Sequence, residues 1–319
     1  MRVCLMIEGQ ENVTWEQWLD LAGAAEANGF DALFRSDHYM SLSGRDVEGT
    51  LDAWTTLAAL AAVTSRIHLG TLVSPVTFRH PAVLAKSVVT ADHVSGGRVE
   101  LGMGAGWHDG EHRAFGFPFP APSERVSMLA EQIEIVHRLW DRDEDRVSFE
   151  GSYYQVRDCN ALPKPVQDPH PRLLMGGQGG PRGSAIAARW ADEYNSHGKS
   201  PEECRRIRQA LDAACREEGR DPATVPLSLM LGFAIGETED EARDRAARLL
   251  GLPREPDGPD PLEAMRPGTL RGTPEQVLEQ LAALAQAGVT RVMLQHLTHT
   301  DLEVVELLGR RVIPDAEGL

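Results

Sequence analysis

The chain has 319 residues, of which 42% are hydrophobic and 25% charged, enough to bury a large core. Its 48 acidic and 32 basic side chains leave a formal charge of −16, which argues against a nucleic-acid backbone or an anionic membrane surface as partner. Cys4, Cys159, Cys204 and Cys215 lie far apart with no CxxC pair, which argues against a zinc site or disulfide framework and for a reducing, cytoplasmic setting.

Met1 leads into a strand-like run without the charged, apolar and small-residue order of a signal peptide, and no apolar run approaches the roughly 18 residues of a membrane span. Strand and helix signals then alternate. Val3 to Glu8 reads as strand one. Thr14 caps a helix whose apolar residues Trp18, Leu21, Ala22 and Ala25 recur at three- and four-residue spacing, and Asn28-Gly29 stops it. Phe30 to Arg35 is strand two, ending in Ser36-Asp37-His38. A polar loop, Tyr39 to Leu51, precedes the helix Trp54 to Val63.

Strand three runs to Thr71 and breaks into Leu72, Val73, Ser74 and Pro75, where the proline removes a ladder donor. Pro81 opens the next helix, Ala82 to His93. A buried strand ending in irregular small residues suits a backbone that must lie flat against a ligand; an ordinary strand-to-helix loop is the alternative. Arg98 to Met103 is strand four, followed by Gly104-Ala105-Gly106-Trp107, a long loop to about Pro122 and the helix Ser123 to Trp140. Val147 to Val156 reads as a β-hairpin excursion turned at Glu150-Gly151.

Arg172 to Met175 is strand five, leading through Gly176-Gly177-Gln178-Gly179-Gly180 into a helix opened by Pro181. Asp192 to Asn195 and Pro226 to Ile235 are strands six and seven, separated by the helix Pro201 to Glu218. After the acidic helix Glu239 to Leu250, the Pro/Gly-rich stretch Gly251 to Gly272 shows no periodicity. The helix starting at Thr273, strand eight (Val289 to Gln295) and a last helix, Asp301 to Arg310, complete the chain. Eight strand–helix units over residues 1–319 predict a single (β/α)8 barrel, with a doubly wound open sheet as the alternative. The long segments 39–51, 104–122 and 251–272 mark the face where strands end, the working face of such a barrel.

Asp37-His38, at the end of strand two, projects toward that face. An imidazole there exchanges a proton with a substrate, and a neighbouring carboxylate fixes its tautomer; a structural histidine is the alternative. Gly104, Ala105 and Gly106 allow backbone to approach a flat ligand, with Trp107 to stack on it. Glu111 is an acid within the same segment. Gly176, Gly177, Gln178 and Gly179, between a strand and a helix N-terminus, present N–H groups suited to a phosphate, without the Lys-Ser/Thr of a nucleotide-cleaving loop. Asn195 and Gln295 offer polar contacts at the ends of strands six and eight, and His80 reads as a turn residue.

Taken together, FDALFRSDHY (30–39), TSRIHLGTLVSPVTFRHPAVLAK (64–86), SGGRVELGMGAGWHDGEHRAFGFPFP (95–120), ALPKPVQ (161–167), LLMGGQG (173–179) and ARWADEYN (188–195) resemble the luciferase-like flavin and deazaflavin oxidoreductases, nearest in their coenzyme F420-dependent branch. The resemblance implies a luciferase-like (β/α)8 barrel with the tricyclic cofactor at the strand ends, and a non-prolyl cis peptide at Leu72-Val73, where Leu72, Val73 and Ser74 back the middle ring. It puts Asp37 and His38 on the family's acid–histidine pair, Gly176 to Gly179 on its phosphate site, and Gly104 to Trp107 beside the ring. It further implies a homodimer acting on a small molecule. The expected activity is hydride transfer with F420, His38 handling the proton and Asp37 holding it; an FMN-dependent monooxygenase is the alternative. One position departs: the sugar-phosphate dehydrogenases of this branch carry a Glu where this chain has Trp107, so the resemblance does not extend to sugar-phosphate oxidation. Glu111 is the nearest remaining acid.

Overall fold

Strands buried along their whole length, each followed by a helix, need cover on both faces, which a closed barrel ringed by its helices provides. The computed structural model, which describes residues 1–42, 49–253 and 258–319, shows this closure. Barrel strands one to eight are Arg2–Ile7, Ala32–Arg35, His68–Thr71, Val99–Gly104, Arg172–Gly176, Glu193–His197, Leu227–Ile235 and Val289–His296. Each pairs in parallel with its neighbours, and strand one closes on strand eight, with Val3 opposite Val292 and Leu5 opposite Leu294.

The outward side chains of the strands pack under the helices. The first helix, Trp15–Ala27, carries a capping box between Thr14 and Gln17 and buries Trp18, Leu21, Ala22 and Ala25. His80, expected as a turn residue, caps the helix Pro81–Ser95 through its Nδ1. Residues 146–150 and 155–160 form the antiparallel hairpin. Among the described residues no helix is long and apolar enough to cross a membrane.

The barrel interior is layered. At its base Arg291 is wholly buried and donates from Nη1 to Glu100 Oε2 at 2.7 Å and to Glu193 Oε2 at 3.2 Å, while its Nη2 lies 2.7 Å from Asp31. Above this sits an apolar floor of Cys4, Met6, Ala32, Phe34, Leu72, Leu174 and Met293, with Val73 and Met230 packed on it. The strands end just above the floor.

Two segments expected to be irregular contain short elements. Within 104–122 there is a helix, Asp109–Phe115, capped by His108 and stopped by Gly116. Within 251–272 there are a helical turn, Pro261–Ala264, and a strand, Leu270–Gly272, which pairs with Phe233–Ile235 at the end of strand seven. Residues 43–48 of the 39–51 loop and 254–257 of the last segment lie outside the described residues.

Candidate active site

Strand two delivers His38 to the rim, where its Nδ1 lies 2.8 Å from Glu111 Oε2. The other oxygen of Glu111 accepts the backbone N–H of Tyr39, so one carboxylate clamps two consecutive residues. A carboxylate only accepts, so Nδ1 carries the proton and Nε2 is the free acceptor of the ring. Glu111 comes from the short helix Asp109–Phe115 and is wholly buried, while the His38 side chain is 12% exposed. Burial pushes the His38 pKa down. The hydrogen bond and charge of Glu111, with the charges of Glu8 and Asp37, outweigh it and hold the pKa above the ordinary histidine value.

Asp37 does not hold His38. Its Oδ2 accepts from Ser74 Oγ at 2.9 Å and from Arg79. Successive residues of an extended chain point to opposite sides, so the two members of the dipeptide meet different partners. Arg79 also reaches Asp52 at 2.6 Å and the Tyr39 hydroxyl at 3.0 Å. Asp37 therefore belongs to the frame that joins the end of strand two to the broken end of strand three. Trp54 donates to the same Ser74 Oγ at 3.0 Å.

That broken end contains a cis peptide between Leu72 and Val73. Ser74-Pro75 then resumes pairing with Met103-Gly104, where the sequence suggested that pairing stops. Val73 lies against glycines of strands four and five. A Cβ on Gly104 would stand 2.6 Å from Val73 Cγ2, one on Gly176 3.2 Å from Val73 Cγ1, and one on Gly102 would fall on the Thr71 carbonyl oxygen. The room left at Gly104 is thus filled by Val73, and the flat surface is the segment Leu72–Ser74 itself. Trp107 is 64% exposed, with its ring edge-on to His38 at 6.0 Å between centroids.

The glycine loop after strand five engages part of its own donors. Gly177 N–H donates to the Asn195 carbonyl and Gly179 N–H to the Tyr194 hydroxyl, both at 2.9 Å. An anion at this loop would meet Gln178, Gly180 and the first-turn N–H groups of the helix Pro181–Trp190, which have no intrahelical acceptor. The Gln178 side chain is 2.7 Å from His197 Nε2, at the end of strand six. Asn195 is directed to Ser228 Oγ, deep in the barrel, rather than to the mouth.

Sequence reasoning passed over two groups. Arg79 carried no local signal, since its partners lie 27 to 42 residues away. Glu8 carried one: Cys4 and Met6 point into the barrel, and period two puts Glu8 on the same side. Gln295, in phase with Met293 on strand eight, donates to Glu8 Oε1 at 2.5 Å, and Gln10 donates to Oε2 at 2.9 Å.

Residues 3–291 match the family described as luciferase-like monooxygenase. An FMNH(2)-dependent dimethylsulfone monooxygenase of Pseudomonas putida is 29% identical over 92% of this chain and 86% of its own. An F420-dependent glucose-6-phosphate dehydrogenase of Kineococcus radiotolerans is 33% identical over 77% of this chain and 73% of its own. Among solved structures, an F420-dependent secondary alcohol dehydrogenase in complex with an F420-acetone adduct superposes with a TM-score of 0.82. It is 20% identical and covers 99% of this chain and 98% of its own, a likeness of fold.

Proposed function

The chain belongs to the luciferase-like monooxygenase family and is an oxidoreductase; on that premise we propose that it passes a hydride between the deazaflavin coenzyme F420 and a small organic substrate. The observation that carries this reading is the His38–Glu111 pair standing over an apolar shelf, with the backbone Leu72–Ser74 along one side. The residues present suit the cofactor. Leu72, Val73 and Met230, resting on the buried floor, offer an apolar bed for a planar tricycle, and the loop from Gly176 to Gly180 with the following helix N-terminus suits its phosphate.

Bound there, a deazaflavin supplies hydride chemistry at its C5 carbon and does not readily activate oxygen. The chain does the rest. Leu72, Val73 and Ser74 would back the ring with Ala105 to Trp107 at its flank. Gln178, Gly180 and the first turn of the helix Pro181–Trp190 would hold the phosphate, the loop Gly176 to Gly179 being shaped by its own contacts with Val73, Asn195 and Tyr194. His38 Nε2 takes or gives the substrate proton, and Glu111 stabilises the imidazolium through Nδ1. Asp37 acts at one remove, fixing Ser74 and Arg79 and so the shelf.

The dimethylsulfone monooxygenase relative favours a second reading on the same shelf, reduced FMN with oxygen. Mixing the protein anaerobically with F420 and a panel of small alcohols, and separately with reduced FMN in air, tests the two. Loss of the oxidised-F420 absorbance without oxygen uptake is the expected result. Oxygenated product formed from a substrate with reduced FMN in air, absent from the protein-free control in which the flavin only autoxidises, and no F420 reduction would transfer the assignment to the monooxygenase reading.

A further inference from the structure

Glu8 is a half-buried carboxylate facing the barrel mouth directly above Met6. Both of its oxygens are held, but by neutral amides: Gln295 on Oε1 and Gln10 on Oε2. Gln10 is fixed in turn by Ser36 Oγ, which donates to its Oε1. Each carboxylate oxygen has two acceptor sites, so each keeps one for a further donor. Among the described residues no Lys, Arg or His nitrogen stands within ion-pair distance of Glu8. Arg35, whose guanidinium lies against Gly9, is committed to the carbonyl oxygens of Ser36, Leu51 and Asp52, and Arg79 to Asp37 and Asp52.

Two histidines feel this charge without pairing with it: Glu8 helps to raise the pKa of His38 and opposes the lowering of His299. His38 is matched by Glu111. His197, paired with Gln178, is kept toward the neutral form by burial and by Lys199. His299 is likewise lowered by burial, with the charges of Glu8 and Glu11 opposing. A fixed carboxylate with open acceptor sites over an apolar floor attracts a donor and repels an anion.

We propose that Glu8 selects the substrate: it accepts a hydrogen bond from a hydroxyl or protonated amine beside the reacting carbon, and it turns away carboxylates and phosphates. The inference rests on the hydride-transfer reading and names the substrate class for it: small apolar molecules bearing an alcohol or amine.

Wild type, Glu8→Gln and Glu8→Asp, each saturated with oxidised F420, would be titrated calorimetrically with benzyl alcohol, benzylamine and benzoate. These probes share a ring that suits the floor and differ in the group offered to Glu8. Wild type should bind the alcohol and the amine at least tenfold tighter than benzoate. Glu8→Gln should lose the amine preference by tenfold or more and gain benzoate, and Glu8→Asp should recover part of the preference. F420 affinity should be the same in all three. Unchanged selectivity in Glu8→Gln, or wild type binding all three probes equally or none of them, overturns the role of Glu8. Failure of wild type to bind either F420 or FMN overturns instead the cofactor reading beneath it.

Discussion

A carboxylate 73 residues away, rather than the one next door, sets the chemistry of His38. Replacing His38 by Ala should lower turnover about 10²- to 10⁴-fold, the usual span for a general acid–base, with cofactor affinity little changed. Glu111→Gln keeps a hydrogen-bond partner and removes the charge. Turnover should fall about 10- to 100-fold, and the limb of the pH–rate profile that reports His38 should move to lower pH. An unmoved limb would show that Glu111 does not tune His38. The same shift affects stability. The folded pKa of His38 is raised, so its contribution is complete below the unfolded value and disappears as pH rises through the folded one. Glu111→Gln should therefore flatten the loss of stability that sets in as pH rises above about 6.5, as urea titrations would detect. The histidine was legible in the sequence because it ends a strand. Its partner was not, because adjacency in the chain suggested Asp37 and alternation of side-chain direction forbids that pairing.

At the scale of elements, the broken end of strand three depends on glycines of its neighbours. A Cβ at Gly104 meets the end of the Val73 side chain, whereas one at Gly102 meets the Thr71 carbonyl oxygen. A side chain can turn away and a backbone cannot. Gly104→Ala should thus cost about 1–3 kcal/mol and Gly102→Ala more, measured by denaturant unfolding. Equal, small losses at both would mean that the contacts at Val73 do not hold this segment. The eight strands and the helices of ten or more residues were legible from periodicity. The helix Asp109–Phe115 was not, since seven residues show too little repeat, although His108 and Gly116 bound it as a cap and a stop. The strand Leu270–Gly272 exists because the end of strand seven accepts it, a tertiary cause with no local trace.

For the whole molecule, alternation told of a barrel, but closure between strands one and eight and the charged layer beneath the floor required the fold. Glu100 is held well below the usual carboxylate range: burial pushes its pKa up, but the Arg291 charge prevails. A depressed folded pKa means that this contribution is present above the unfolded value and is lost as pH falls below it. Arg291→Met would remove the buried cation that Glu100 and Glu193 share, leaving His68 at 3.4 Å from the one and Arg172 at 3.2 Å from the other, and should cost about 3–5 kcal/mol in equilibrium unfolding near neutral pH. A loss under about 1 kcal/mol would show that the base layer contributes little. The shelf, the clamped histidine and the glycine loop are carried by different strands of this one barrel, and the proposed function requires that together they receive a deazaflavin. The most direct test is to titrate the cofactor-free protein with F420 and, separately, with FMN, following the fluorescence of Trp107 against a Trp107→Phe control. Saturable quenching by F420 at micromolar concentration or below, with weak response to FMN, is the predicted result. Tighter binding of FMN, or no binding of either, would contradict it.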